Sequence, residues 1–474
     1  MELDIISNLP SDVIEQILSH LPIRDAVRTS ILSRNWRYRW ATIRHLVFDN
    51  QCVSTQKHIS FVNIVDHVLQ GHIGPIHKFE LSYLDGVASR DIDRWIHHLS
   101  RNSVKEFILR IWKGYSYSIP SYMFSCKDMI HLLLVNCELK PPPTFKGFRN
   151  LKCLALGYLT LSQDVFQNLI ACCPLLERLA LEKLDFACLK IDAPNLQFLD
   201  VVRGCQDVIF ENTLNPADVR IYTDANDDQR RVCDRSGSNL GKFLVHLPRI
   251  QRLQIEGYFL QILAAGALSA KLPEPCLHLN FLYITVNFCD PVEILTALYL
   301  LRSSPAVQEL EICLYGRGKG EGEAALSEVN SLYGNWICPF TQLRLVKLSN
   351  QWGVKNALDF VRFLLLNSPV LEKIIIAPAY DHGSQELVKQ VLRLGRASVH
   401  SEIIFLDLVP AKSRRTTPFG PVVLGNAVCR NSPHLKPQLA FSHSLIPKQQ
   451  TLIRSFGGWM RSSISISLDQ SKAK

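Results

Sequence analysis

A short frame, Pro-x-apolar-x-x-apolar-x-apolar, recurs along this chain, and no other feature restricts its folding as strongly. The copies read CCPLLERLAL from Cys172, DAPNLQFLDV from Asp192, HLPRIQRLQI from His246, SSPAVQELEI from Ser303 and NSPVLEKIII from Asn367. Without the proline, the same L-x-x-L-x-L spacing begins at Ile43, Ile76, Val104, Ile130, Leu151, Leu279 and Leu343. From Ile43 to Leu371, successive starts lie 33, 28, 26, 21, 25, 20, 54, 29, 28, 36 and 28 residues apart. The gap of 54 is two repeats long, so a degenerate copy is expected near Val219 to Tyr222. The end of each frame alternates with period two, the pattern of a short strand with one apolar set inward and the intervening set outward. Proline two residues before the strand suits a turn, where its missing N–H is not needed. Helix-like segments such as Gln163 to Cys172 and Ala357 to Asn367 lie between strands. Each unit has one apolar face that it cannot cover alone, so stacked neighbours supply the core.

A spacing of about 20–29 residues with this frame is that of a leucine-rich repeat. The expected fold class is therefore α/β, with a curved leucine-rich-repeat solenoid over residues 51–335. A conventional α/β domain of alternating strands and helices is the competing reading, but it leaves the recurring proline frame unexplained.

Residues 5–50 carry a different pattern. Val13, Ile14, Ile17, Leu18 and Leu21 form a helical apolar stripe. Asp12 with Glu15 is expected to be the capping box that opens this helix, and Pro22 to stop it. Asp25 is expected to cap a second helix bearing Ala26, Val27, Ile31 and Leu32. Ser33 would cap a third, on which Trp36 and Trp40 share a face. So small a unit is marginal by itself; it either packs on the rest of the chain or docks on a partner, and Arg34, Arg37 and Arg39 would steer an acidic one.

The segment LPSDVIEQILSHLPIRDAVRTSILSRNWRYRW closely resembles the F-box of plant proteins. The resemblance implies docking on an Skp-family adaptor, which bridges to a cullin and a RING subunit. Carried over by position, the docking residues are Leu9, Pro10, Ile14, Leu18, Leu21, Pro22, Leu32 and Trp36, with Trp40 as a hinge to the next domain. CCPLLERLAL is similar to the repeats of plant F-box proteins with leucine-rich repeats. CPFTQLRLVKLSN and LDFVRFLLLNSPVLEKIII resemble the FBD region that often closes such proteins, here 336–408, continuing the repeats; Asp359 stands where Glu is usual. The implied function is that of a substrate-recognition adaptor of an SCF-type ubiquitin ligase, with a non-degradative repeat scaffold or signal receptor as the alternative.

Charge bears on the partner. The chain has a net charge of +9, but residues 411–474 hold ten Lys or Arg and one acid, Asp469, and so carry the whole excess. The preceding 410 residues are neutral, which gives no footprint for nucleic acid. The 409–474 stretch, rich in Ser and Pro and without sustained periodicity, is expected to be a disordered basic tail. Fourteen cysteines include no CxxC pair, and the longest nearly apolar run, from Tyr258 to Ala270, is too short to span a bilayer. With no signal-like start, the cysteines read as reduced, buried small hydrophobes of a nuclear or cytoplasmic protein.

No catalytic constellation is assembled. GxSxG, HExxH and GxxxxGK[ST] are all missing. GRGKGEGE, from Gly316, follows its Lys319 with Gly320 rather than a hydroxyl residue and reads as a loop. Adjacent Cys172 and Cys173 lack chelating spacing, and His97 and His98 read as a helix flank, so no metal or cofactor is expected. Function then rests on a binding surface, the outward strand positions on the concave face. These are Arg110, Arg178, Glu182, Asp200, Arg252, Glu256, Tyr283, Glu309, Glu311 and Lys347, with Leu132, Leu134, Ala155 or Phe281 in other copies. Mixed charge beside apolar positions suits an unidentified protein substrate better than nucleic acid.

Overall fold

The structure, a computed structural model, describes residues 9–49, 52, 61–83, 87–112, 115–184, 186–203, 205–213, 216–223, 240–264, 275–315, 340–350, 355–378, 389–406, 414–417 and 420–423. Fourteen strands form one sheet in chain order. They are β1 (His45–Asp49), β2 (Lys78–Tyr83), β3 (Glu106–Ile111), β4 (His131–Val135), β5 (Cys153–Gly157), β6 (Arg178–Glu182) and β7 (Phe198–Val202). Then come β8 (Asp218–Thr223), β9 (Arg252–Gly257), β10 (Phe281–Asn287), β11 (Glu309–Tyr315), β12 (Leu345–Asn350), β13 (Lys373–Pro378) and β14 (Glu402–Phe405). Every neighbouring pair is parallel. Strictly sequential parallel order is what stacked single-strand repeats produce, so the sheet is that of a leucine-rich-repeat solenoid. The degenerate copy expected near Val219 to Tyr222 is β8, seated between β7 and β9.

The proline frame acts as a turn. In five copies the N–H of the first apolar residue donates to the carbonyl three residues back, with proline second in the turn: Leu176 to Cys173, Leu196 to Ala193, Ile250 to Leu247, Val307 to Ser304 and Leu371 to Ser368. Proline's fixed φ suits that position. In the Cys172 copy Pro174 thus stands four residues before its strand, not two, because the first apolar residue closes the turn instead of starting the ladder. Those turn residues are buried, as are the second and fourth strand positions, exemplified by Leu176, Leu179 and Leu181.

One register differs from the sequence expectation. In β4 the frame begins at Met129, not Ile130, so Leu132 and Leu134 face the core while Leu133 and Val135 face outward. A shift of one residue reverses every side chain of a strand.

The connections are irregular. Helices α1 (Ser11–Ser19), α2 (Ile23–Arg28), α3 (Phe61–Gly71), α4 (Ser89–Ser100), α5 (Gln163–Ala171), α6 (Leu240–Val245), α7 (Phe259–Ala264), α8 (Pro291–Arg302) and α9 (Lys355–Asn367) are joined by extended pieces. Between β6 and β8, for example, Phe186–Asp192 and Cys205–Glu211 pair as parallel strands of their own. Ser162 caps α5 through Val165 N–H, and Asp290 caps α8 through Val292 N–H, with Pro291 in the first turn.

The first helices depart from expectation in their caps. Pro10 and Pro22 occupy the N-cap positions of α1 and α2, without a side-chain cap, while Asp12 and Asp25 lie inside the first turns, where a carboxylate still favours the helix dipole. α1 ends at Ser19, three residues before Pro22, so that proline opens α2 instead of stopping α1. The expected third helix is replaced by turns and the 3-10 segment Arg39–Thr42.

The GRGKGEGE loop and most of the basic tail lie outside the described residues. Within residues 411–474 the described part is one antiparallel pair, Arg414–Thr417 with Gly420–Val423.

Candidate functional site

This architecture presents two surfaces. The first is on α1 and α2. Ile14, Leu18 and Trp36 are buried at 1%, 0% and 1% exposure, in the same core that continues into the repeats. Leu9 and Leu21 are half-buried, whereas Pro10, Pro22 and Leu32 are exposed. Trp40 is also buried; its ring stacks on His67 with centroids 6.3 Å apart, and the Ile73 N–H donates to Ala41 O at 2.7 Å. Trp40 thus joins the F-box-like helices to α3.

Two apolar side chains that sequence reasoning did not assign to docking stand out on this surface: Ile31 at 76% and Tyr38 at 66% exposure. Tyr38 has φ 68°, a left-handed conformation that a bulky residue adopts only at a cost. Its side chain is left mostly exposed, so burial among the described residues offsets little of that cost.

The second surface is the sheet face turned away from the core. Register brings the candidate repeat residues into three rows. Arg178, Arg252 and Glu309 occupy the first strand position; Asp200, Tyr283, Glu311 and Lys347 the third; Arg110, Glu182 and Glu256 the fifth. Ile108, Leu133, Val135, Ala155 and Ala180 form an apolar patch on this face, beside the polar stretch of β6 to β12.

Several charges there are already engaged. Arg110 binds Glu80 at 2.6 Å, and Lys78 reaches the same carboxylate at 3.1 Å. Burial pushes the Glu80 carboxyl up, but Lys78 and Arg110 outweigh it and hold the group below the usual carboxylate range. Lys347 pairs with Glu311. Glu182, Asp200 and Glu256 are buried although they face outward. Burial raises the pKa of Glu182, against a hydrogen bond from Tyr158 and the charge of Arg203.

Strand ends add side chains that the frame did not single out. Tyr158, Lys183 and Arg203 each follow a strand with φ between 54° and 61°, and each donates its N–H to a carbonyl near the end of the next strand, that of Glu182, Val202 and Tyr222 respectively. Lys183 lies 5.5 Å from the Tyr158 ring centre, and Arg203 5.7 Å from that of Tyr222.

Among the described residues, no group of three His, Cys, Asp or Glu could hold a metal ion, and no helix is long and apolar enough to cross a membrane. The described cysteines are free thiols, and burial pushes those of Cys137 and Cys205 up to about 12, which makes them inert hydrophobes.

The fold these surfaces belong to is a repeat solenoid with a small helical unit at its front. A family model of the F-box domain matches residues 6–47, and a model described as FBD-associated F-box protein At5g56370, LRR repeats, matches residues 92–312. The F-box/FBD/LRR-repeat protein At1g13570 of Arabidopsis thaliana is 36% identical over 413 residues, covering 85% of this chain and 99% of that protein. The F-box/LRR-repeat protein At4g14096 of the same plant is 27% identical over 436 residues, covering 82% and 90% respectively. This chain belongs to the plant F-box/FBD/LRR-repeat protein family.

Proposed function

We propose that this protein is the substrate-recognition adaptor of an SCF-type ubiquitin ligase. The observation that carries the reading is an F-box at residues 6–47 whose exposed apolar groups sit on an otherwise buried framework. Pro10, Pro22, Ile31, Leu32 and Tyr38 would contact an Skp-family adaptor, and through it a cullin and RING subunit. Ile14, Leu18 and Trp36 would act beneath them, as supports that hold the contact residues in place.

The repeats would hold a protein substrate on the outward sheet face. No chemistry is required of this chain, because it works by proximity: it raises the concentration of substrate beside a charged enzyme. Neither matched family model is that of an enzyme, which agrees with a non-catalytic subunit. The free thiols, buried or half-buried at each described cysteine, fit a reducing compartment, nucleus or cytoplasm.

The test is co-purification of the full chain with an Skp-family adaptor and cullin, followed by proteomic comparison of plants with and without the chain. Adaptor capture together with proteins that accumulate on its loss supports the reading. Capture without any change in turnover would favour a non-degradative scaffold instead.

A further inference from the structure

The first-position row of the outward face repeats a triplet. Across β6 to β11 the register aligns Arg178, Phe198, Asp218, Arg252, Phe281 and Glu309, which reads Arg-Phe-acid twice. Each arginine lies over the phenylalanine of the following strand: Arg178 over Phe198 at 4.1 Å and Arg252 over Phe281 at 3.9 Å. The rings are buried, and both arginines are exposed. Asp218, the acid facing Arg252 across β8 and β9, is instead held by Arg220 of its own strand at 2.7 Å. Among the described residues, the guanidinium groups of Arg178 and Arg252 have no carboxylate or hydrogen-bond partner.

With its central carbon 3.9–4.1 Å from a ring centre, each guanidinium is held over the ring while its N–H groups can still bind a carboxylate with two parallel hydrogen bonds. The surrounding charge favours the same ligand. Glu182, Asp200 and Glu256 are buried on this stretch, and Asp218 is half-buried in its pair with Arg220, so the fully exposed charges of β6 to β9 and their ends on this face are Arg178, Lys183 and Arg252.

Resting on the reading of the repeats as a substrate face, we propose that Arg178 and Arg252 are paired carboxylate clamps and that the substrate segment is acidic and extended. Three strand spacings of about 4.8 Å separate β6 from β9, or about 14 Å. An extended peptide rises about 3.3 Å per residue, so side chains four residues apart span about 13 Å. The recognised segment carries Asp or Glu at positions i and i+4 and runs across the strands. Glu309, exposed two strands beyond Arg252, marks where the acidic footprint stops.

The experiment pans a random 12-residue peptide display library against the purified full chain and the Arg178→Met/Arg252→Met variant. Methionine still covers the ring but has no charge or fork. Acidic residues four apart should be enriched by the unaltered chain and not by the variant. A synthetic consensus peptide should bind about tenfold more weakly to either single variant. Replacing its two acids by Gln or Asn should weaken it similarly on the unaltered chain, a measurement that does not depend on the variants folding. Enrichment without acidic bias, no enrichment, equal binding by the double variant, or binding only when the acids are replaced by phosphoserine would each overturn the proposal. Adaptor capture by the same preparations reports on the F-box separately, so loss of one result leaves the other standing.

Discussion

At the scale of single residues, burial separates support from contact. Trp36 is as buried as any core residue, so Trp36→Ala should cost about 3–5 kcal/mol, read as a lower thermal midpoint. Ile31→Asp adds charge at a position that is 76% exposed; it should abolish adaptor capture with the melting temperature almost unchanged. A stability loss for Ile31→Asp as large as that for Trp36→Ala would show that Ile31 supports the fold. Glu182 offers a pH test. Its folded pKa is raised by burial, so its contribution is most favourable below the unfolded value and is lost as pH rises through the folded one. Glu182→Gln should therefore raise the melting temperature at pH 7, by an amount that shrinks as pH falls towards 4.5. A pH-independent difference would place the effect in packing instead of charge. The distinction between Trp36 and Ile31 was not legible in the linear pattern, because both are apolar residues of the same short N-terminal stretch. Which of them is covered is decided by tertiary packing, which places Trp36 in the shared core and leaves Ile31 outside it.

At the scale of elements, the turn and strand were legible and the ends were not. Proline at the second turn position and apolar residues at alternate strand positions have local causes, and the frame reports both. The single slip, at Met129 and Ile130, came where HLLL offers leucine on both faces, so local pattern cannot choose the register. Register there is set by pairing of His131 with Glu106 and Cys153. The caps of α1 and α2 differed for a related reason: Pro10 and Pro22 already fix the entering backbone, and the nearby Asp residues fall inside the helix. Gly257 is an element-scale requirement. It ends β9 at φ 67°, and a β-carbon there would lie 1.9 Å from Thr223 O. Gly257→Ala should destabilise by more than about 1 kcal/mol and loosen the β8–β9 ends, measurable as faster amide exchange at Tyr258, whose N–H bonds Thr223 O. Unchanged exchange would show that the strand end relaxes freely.

At the scale of the whole molecule, one continuous apolar core runs from Ile14 to Leu394, so the F-box helices and the repeats share it. The basic stretch 411–474 carries the chain's excess positive charge and lies beyond the repeat frame. Deleting it should leave both adaptor capture and the melting temperature intact, checked by pull-down and calorimetry on the shortened chain; loss of the folded state would refute this. Sequence alone determined the repeat class, thirteen of the fourteen strands of the main sheet including the degenerate copy at β8, and the F-box, because each is written in local spacing of apolar residues, proline and turn chemistry. Only the tertiary structure decided which F-box side chains stay exposed and that Glu182, Asp200 and Glu256 are buried. It also decided that Arg178 and Arg252 rest on phenylalanines from the following repeats. Those outcomes depend on residues some twenty to thirty positions apart being brought about 4.8 Å from one another by the parallel ladder, a proximity that no local pattern encodes.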